Sequence, residues 1–243
     1  MHIMLEVLLD LVKILLIVAG LYAAIAMYVR HRQPDWSVPL QRRRLALVWA
    51  LLAIAGAIQI TEGVLGGETA PVDKAILLYL RELIPHSLDP LFKAITWTGS
   101  VKVLDSLALL TVLLLLVRKY RFEALLVTVS VIGAEGIVYV MKALVGRERP
   151  QLWAMQWYGG SSFPSGHTLV VAAFATALAL GISRPHPAAR DVVVSLAFLW
   201  IALMALSRLV LGAHWPTDVL AAACIGAALP LLISLGHDFW RSR

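Results

Sequence analysis

Apolar runs at about residues 4–28, 45–61, 103–117, 123–145, 167–183, 191–211 and 217–236 alternate with short polar links along the whole chain. A helix must be roughly 20 mostly apolar residues long to cross the hydrocarbon core of a bilayer. Each run approaches that length, so the pattern predicts a polytopic, all-α transmembrane helix bundle. Six core helices are expected, with an additional amino-terminal helix over residues 4–28 that carries Asp10 and Lys13. Residues 71–98 differ: their apolar and charged positions recur at helical spacing, which predicts one or two amphipathic helices lying in the membrane interface. Residues 29–44 read as a basic loop with Pro34 and Pro39. The expected organisation is an amino-terminal hydrophobic segment and basic loop over 1–44, then one membrane domain over 45–243. Met1–Lys13 has no basic region ahead of its apolar run and no clear small-residue cleavage site, so it is not expected to be a signal peptide.

Composition agrees with a lipid environment. Of the 243 residues, 60% are hydrophobic and 15% charged, and the mean hydropathy is +0.82. The net charge of +6 would suit nucleic acid, but its distribution points elsewhere. Arg30, Arg32, Arg42, Arg43 and Arg44 share one link; Arg118, Lys119 and Arg121 share another; Arg184 and Arg190 a third; Arg241 and Arg243 end the chain. These are alternate links, as the positive-inside rule expects of a cytoplasmic face. The amino terminus is then expected outside and the carboxyl terminus in the cytoplasm, with no nucleic-acid partner. Trp97, Trp153, Trp157 and Trp215 fall on the outer side and are expected as interfacial anchors, with a grip on a lipid tail as a second role for Trp153 or Trp157. Cys224, the single cysteine, permits no internal disulfide and argues against a thiolate metal site.

Three polar blocks interrupt the pattern, all on the outer side by charge counting alone. In "KALVGRERP" (142–150), Lys142 and Arg149 are seven residues apart, so one helix face can present both. Arg supplies a planar fork of donors and Lys a compact charge, a pair suited to phosphate and equally to snorkelling at a membrane boundary. In "FPSGHT" (163–168), Pro164, Ser165 and Gly166 predict a helix start with Ser165 as its cap. The unpaired N–H groups there favour an anion, and His167 falls in the first turn. In "SRLVLGAHWPTD" (207–218), Arg208 ends one apolar run, His214 sits in a turn, and Pro216 opens the next helix with Asp218 in its first turn. An Asp four residues after a His can hydrogen-bond one ring nitrogen and leave the other free to attack. Each block alone has an ordinary structural reading as a helix boundary. Together they supply cations, a backbone anion nest, two histidines and a carboxylate, the groups that phosphoester hydrolysis requires. No acidic cluster with metal-ligand spacing lies beside them, so neither a metal nor another cofactor is implied.

Lys142 followed by six residues and Arg149–Pro150, Pro164–Ser165–Gly166–His167, and Ser207–Arg208 followed by His214 and Asp218 resemble the three-part signature of the type 2 phosphatidic-acid phosphatase superfamily. That superfamily includes bacterial lipid phosphatases, glucose-6-phosphatase and the soluble vanadium haloperoxidases. The resemblance covers about residues 70–236; the run at 4–28 departs from the usual six-helix pattern. It implies His214 as a nucleophile that forms a phosphohistidine, Asp218 as its orienting carboxylate and His167 as general acid. Lys142, Arg149 and Arg208 would bind the phosphoryl oxygens, with Ser165 and the Gly166 amide. Arg147 has no catalytic role in this reading beyond a contact to a second phosphate.

The expected activity is removal of phosphate from a lipid phosphate or diphosphate at the outer face of the cell membrane. Phosphatidic acid, phosphatidylglycerol phosphate, undecaprenyl diphosphate and lipid A phosphate all carry the required group. Transfer to another acceptor through the same intermediate is the alternative within the site, and a non-catalytic lipid-phosphate transporter is the alternative outside it. Glu135, inside an apolar run, is expected to be buried and hydrogen-bonded or ion-paired, with proton relay as its sharper reading.

Overall fold

The computed structural model describes residues 2–153 and 159–242, with side chains from Leu8 onward; Met1, Trp157 and Arg243 lie outside the described residues. Ten α-helices follow in order: α1 His2–Arg32, α2 Ser37–Arg42, α3 Arg44–Leu65, α4 Ala70–Leu83, α5 Asp89–Thr98, α6 Val101–Val117, α7 Arg121–Val145, α8 Gly166–Ser183, α9 Arg190–Val210 and α10 Pro216–Trp240. Six of them are long and apolar enough to cross a bilayer, and α5 with α6, bent by 45° at their junction, makes a seventh candidate span. The stretch expected as a basic loop is largely helical instead. The first helix continues to Arg32, and Pro34 and Pro39 sit in the first turns of short helical segments, where a missing N–H costs nothing.

Helix α8 is the centre of the bundle, packed by α7, α9 and α10. Its buried face is rich in alanine, with Ala172, Ala173, Ala175 and Ala177 beside Val171 and Phe174; such small residues let backbones approach closely where lipid supplies no hydrophobic drive. The approach is tightest at Gly226 of α10, where a Cβ would lie 2.3 Å from the carbonyl oxygen of Leu169. The outward surfaces are apolar, as a lipid-facing exterior requires: α6 exposes Leu109, Leu110, Leu113 and Leu114. Helix α1 packs chiefly on α3. Its polar residues have found a partner there, with Lys13 donating to Gln59 Oε1 at 3.2 Å and Gln59 donating to Asp10 at 3.3 Å.

The two ends of the bundle differ in chemistry. At one end Asp238 of α10 accepts from Arg43 at 2.8 Å and from Arg184, tying α3 and α8 to the last helix. At the other, α7 and α9 end, α8 and α10 begin, and the amphipathic α4 and α5 lie across the mouth. The α5 hydroxyl of Thr96 meets Ser207 of α9 at 2.8 Å. Glu135 is half-buried on α7, and its polar neighbour is Asp105 of α6, a second carboxylate rather than a cation.

Candidate active site

All three polar blocks converge at the end covered by α4 and α5. Helix α7 stops at Gly146, whose φ of 61° is left-handed and comfortable for a residue without Cβ. The chain then leaves the helix, so Lys142 stands in the last turn and Arg149 in the coil beyond it. The single helix face expected for the pair is therefore not used.

Arg149 instead reaches across the site. Its Nη1 donates to the carbonyl of Ala213 at 2.8 Å and lies 3.3 Å from Nε2 of His214. Nε donates to Gly160 O at 3.2 Å, and Nη2 to Ser161 O at 3.3 Å. The Gly-Ser stretch at 159–162 thus turns the carbonyls of residues 159–161 toward one guanidinium. It is also clasped to the first block, with Ser162 N donating to Arg147 O at 2.8 Å and Ser162 Oγ to Glu148 O at 3.1 Å.

His214 is buried in the turn between α9 and α10. Its Nδ1 lies 2.7 Å from the carbonyl oxygen of Ser162. A carbonyl can only accept, so Nδ1 carries the proton and Nε2 keeps its lone pair. Asp218, the partner expected from spacing, is 3.5 Å from the same nitrogen. That exceeds a good hydrogen bond but is near enough for strong electrostatic interaction. The closer partners of Asp218 are Arg147 at 2.6 Å and the Trp215 amide at 2.9 Å, which caps α10. Burial pushes the His214 ring down to about 4; the carboxylate of Asp218 opposes that shift, and Arg208 and Arg149 reinforce it. The ring is accordingly neutral near pH 7.

His167 is half-buried in the first turn of α8, and its electrostatic neighbours are Arg208, His214, Lys142 and Arg149. Arg208 is 2% exposed and reaches Thr96 of α5 at 3.4 Å. Lys142 makes no hydrogen bond or ion pair among the described residues. Ser165 occupies the cap position of α8, but its hydroxyl pairs with that of Thr168 at 3.0 Å and caps no N–H. Gly166 opens the helix, with its Cα packed toward Val138 of α7.

Three parts of the surroundings were not expected. Arg147 is committed to Asp73 and Asp218, both at 2.6 Å, and to Thr69 and Thr217, which leaves no fork for a second phosphate. Asp73 counts in the sequence only as one acid of an amphipathic segment, although an acid at a core-facing position of α4 is a usable signal. Trp153 is not a simple interfacial anchor: it packs on Gly212 so tightly that a Cβ there would meet its indole nitrogen at 2.6 Å, with Arg81 over its ring. Trp215 donates to Glu148 O at 2.9 Å, and Trp97 is exposed.

A deep-set neutral histidine with a free lone pair, surrounded by three cations and a second histidine, has the chemistry to bind and attack a phosphoryl group. The family model of the PAP2 superfamily matches residues 123–241, which contain all three blocks. The chain belongs to the PAP2 superfamily. It is 34% identical over 128 residues to the decaprenylphosphoryl-5-phosphoribose phosphatase of Mycobacterium tuberculosis, covering 51% of this chain and 67% of that protein. It is 38% identical over 82 residues to phosphatidylglycerophosphatase B of Escherichia coli K12, covering 33% of this chain and 31% of that protein, so the match spans about a third of that relative. Its fold is similar to the crystal structure of a transmembrane PAP2-type phosphatidylglycerolphosphate phosphatase from Bacillus subtilis, with a TM-score of 0.64 at 23% identity over 82% of this chain and 95% of that one.

Proposed function

We propose that this protein is an integral membrane phosphatase that hydrolyses a phosphomonoester or diphosphate head group carried by a lipid. The observation that carries the reading is the orientation of His214. Its protonated Nδ1 is turned to Ser162 O, and its Nε2 is beside Arg149. Nε2 attacks phosphorus, an Nε2–P bond forms, and the bond from phosphorus to the leaving oxygen breaks. His167 gives that oxygen its proton. In the second half, water attacks the phosphohistidine, His167 takes the water's proton, and the Nε2–P bond breaks to release phosphate. Lys142, Arg149, Arg208 and the Gly166 amide neutralise the phosphoryl oxygens throughout. Asp218 stabilises the positive charge that spreads over the imidazole ring.

The lipid character of the substrate is supported by the apolar bundle under the site and by relatives named for lipid-borne phosphates. The charge pattern supports a site on the outer face of the cell membrane with the carboxyl terminus in the cytoplasm. The direct test uses the purified chain in detergent with phosphatidic acid, phosphatidylglycerol phosphate and undecaprenyl diphosphate, reading phosphate release. His214→Ala and His167→Ala are expected to abolish release while eluting as folded protein. Turnover by His214→Ala would reject the nucleophile.

A further inference from the structure

Beside the site lies a chain of buried charges that ties two of the polar blocks to Asp73 of α4. Asp73 of α4 is 1% exposed and Asp218 of α10 is fully buried. Arg147 stands between them at 2.6 Å from each. Thr217 completes the link, with its amide donating to Asp73 Oδ1 at 2.9 Å and its hydroxyl to Asp73 Oδ2 at 2.7 Å. The Arg147 guanidinium also lies over the Trp215 ring, 5.6 Å from its centroid. Two carboxylates and one guanidinium carry a net charge of −1, and each buried member depends on the others for its compensation. A planar fork fits between two carboxylates, and a lysine would not.

We propose that Arg147 and Asp73 are positioning residues for the phosphoryl-transfer reaction, a strut by which the interfacial helix α4 holds Asp218 at its working distance from Nδ1 of His214. The inference rests on the phosphatase reading above. Asp218 touches the nucleophile's far nitrogen, whereas Arg147 and Asp73 act only through Asp218. When Nε2 bonds phosphorus, Nδ1 keeps its proton and the ring becomes cationic. The carboxylate 3.5 Å away is the nearest compensating charge. Without the strut, Oδ1 of Asp218 loses its partner, and only the Trp215 amide on Oδ2 still holds the carboxylate beside the ring. Its charge is also no longer shared with Arg147, so protonated His214 is favoured.

The test compares kcat, KM and the pH profile of kcat/KM for wild type, Arg147→Lys and the double variant Arg147→Gln with Asp73→Asn, on dioctanoyl phosphatidic acid in detergent. The double variant keeps the net charge at −1, because only Asp218 then remains ionised, with the Trp215 amide as its remaining hydrogen-bond donor. Its kcat is expected to fall about tenfold or more, with KM changed no more than about threefold, and the acid limb to move to higher pH. Arg147→Lys is expected to lose about fivefold or more in kcat, because one ammonium nitrogen must replace two guanidinium nitrogens that each serve one carboxylate. If the double variant fails to fold, shown by its melting curve, Arg147→Lys decides. Wild-type kcat and an unmoved acid limb in a folded variant would overturn the strut. A wild type inactive on phosphatidic acid, phosphatidylglycerol phosphate and undecaprenyl diphosphate alike would instead overturn the phosphatase reading and the strut with it.

Discussion

Replacing Arg149 by lysine separates charge from geometry at the centre of the site. The guanidinium serves Ala213 O at 2.8 Å, Gly160 O at 3.2 Å and Ser161 O at 3.3 Å, and its Nη1 is 3.3 Å from Nε2 of His214. Lysine retains the positive charge, but its single nitrogen cannot span Ala213 on one side and the 160–161 carbonyls on the other. A hydrogen bond to a charged group contributes ~1.5–3 kcal/mol. Losing the phosphoryl contact and part of the loop's anchoring corresponds to ~2–4 kcal/mol in the transition state, or roughly 30- to 1,000-fold in kcat/KM. Steady-state phosphate release from detergent-solubilised protein reads this directly, with the melting temperature as the control for folding. Arg149→Lys within about threefold of wild type would show that charge alone suffices and that the fork seen here has no catalytic weight.

Two other outcomes follow from particular contacts. Because the His214 ring sits at about 4 in the folded protein, the folded state binds fewer protons than the unfolded one below about pH 6.5. His214 therefore lowers stability as pH falls from about 6.5 to about 4, by roughly 3 kcal/mol in all. The melting-temperature difference between wild type and His214→Gln should shift against wild type across that window, and a constant difference would contradict the neutral buried ring. Gly226→Val should cost about 3 kcal/mol or more of stability, since the added atoms collide with the backbone of α8. Thermal unfolding in detergent at the wild-type value would show that α8 and α10 are not packed this closely.

The spans were legible because lipid imposes a single rule on every helix, and the amphipathic segment at 71–98 emerged as α4 and α5 for the same reason. The placement of the candidate site residues was legible to the extent that they lie at helix ends. Lys142, His167, Arg208, His214 and Asp218 are where turn and cap signals put them. What spacing could not convey was connection. Lys142 and Arg149 looked like neighbours on one helix, yet a left-handed glycine separates them. Asp218 looked like the hydrogen-bond partner of His214, yet a guanidinium 71 positions earlier holds it more closely. Asp73 offered only the signal of an acid at a core-facing position of α4; its link to Arg147 and Thr217 depends on how α4 lies across α10. Ser165 reads as a cap from its place before Gly166, but its hydroxyl has a better partner one turn on, in Thr168.

The proton on the His214 ring is fixed by the carbonyl of Ser162, and every residue type carries that atom. Substituting the side chain at 162 does not delete the acceptor. The tautomer is thereby insulated from point mutation and exposed to a different hazard: insertion or deletion of one residue between Gly159 and Phe163, which would slide another carbonyl into its place. Spacing, more than composition, is the quantity that this short stretch has to preserve.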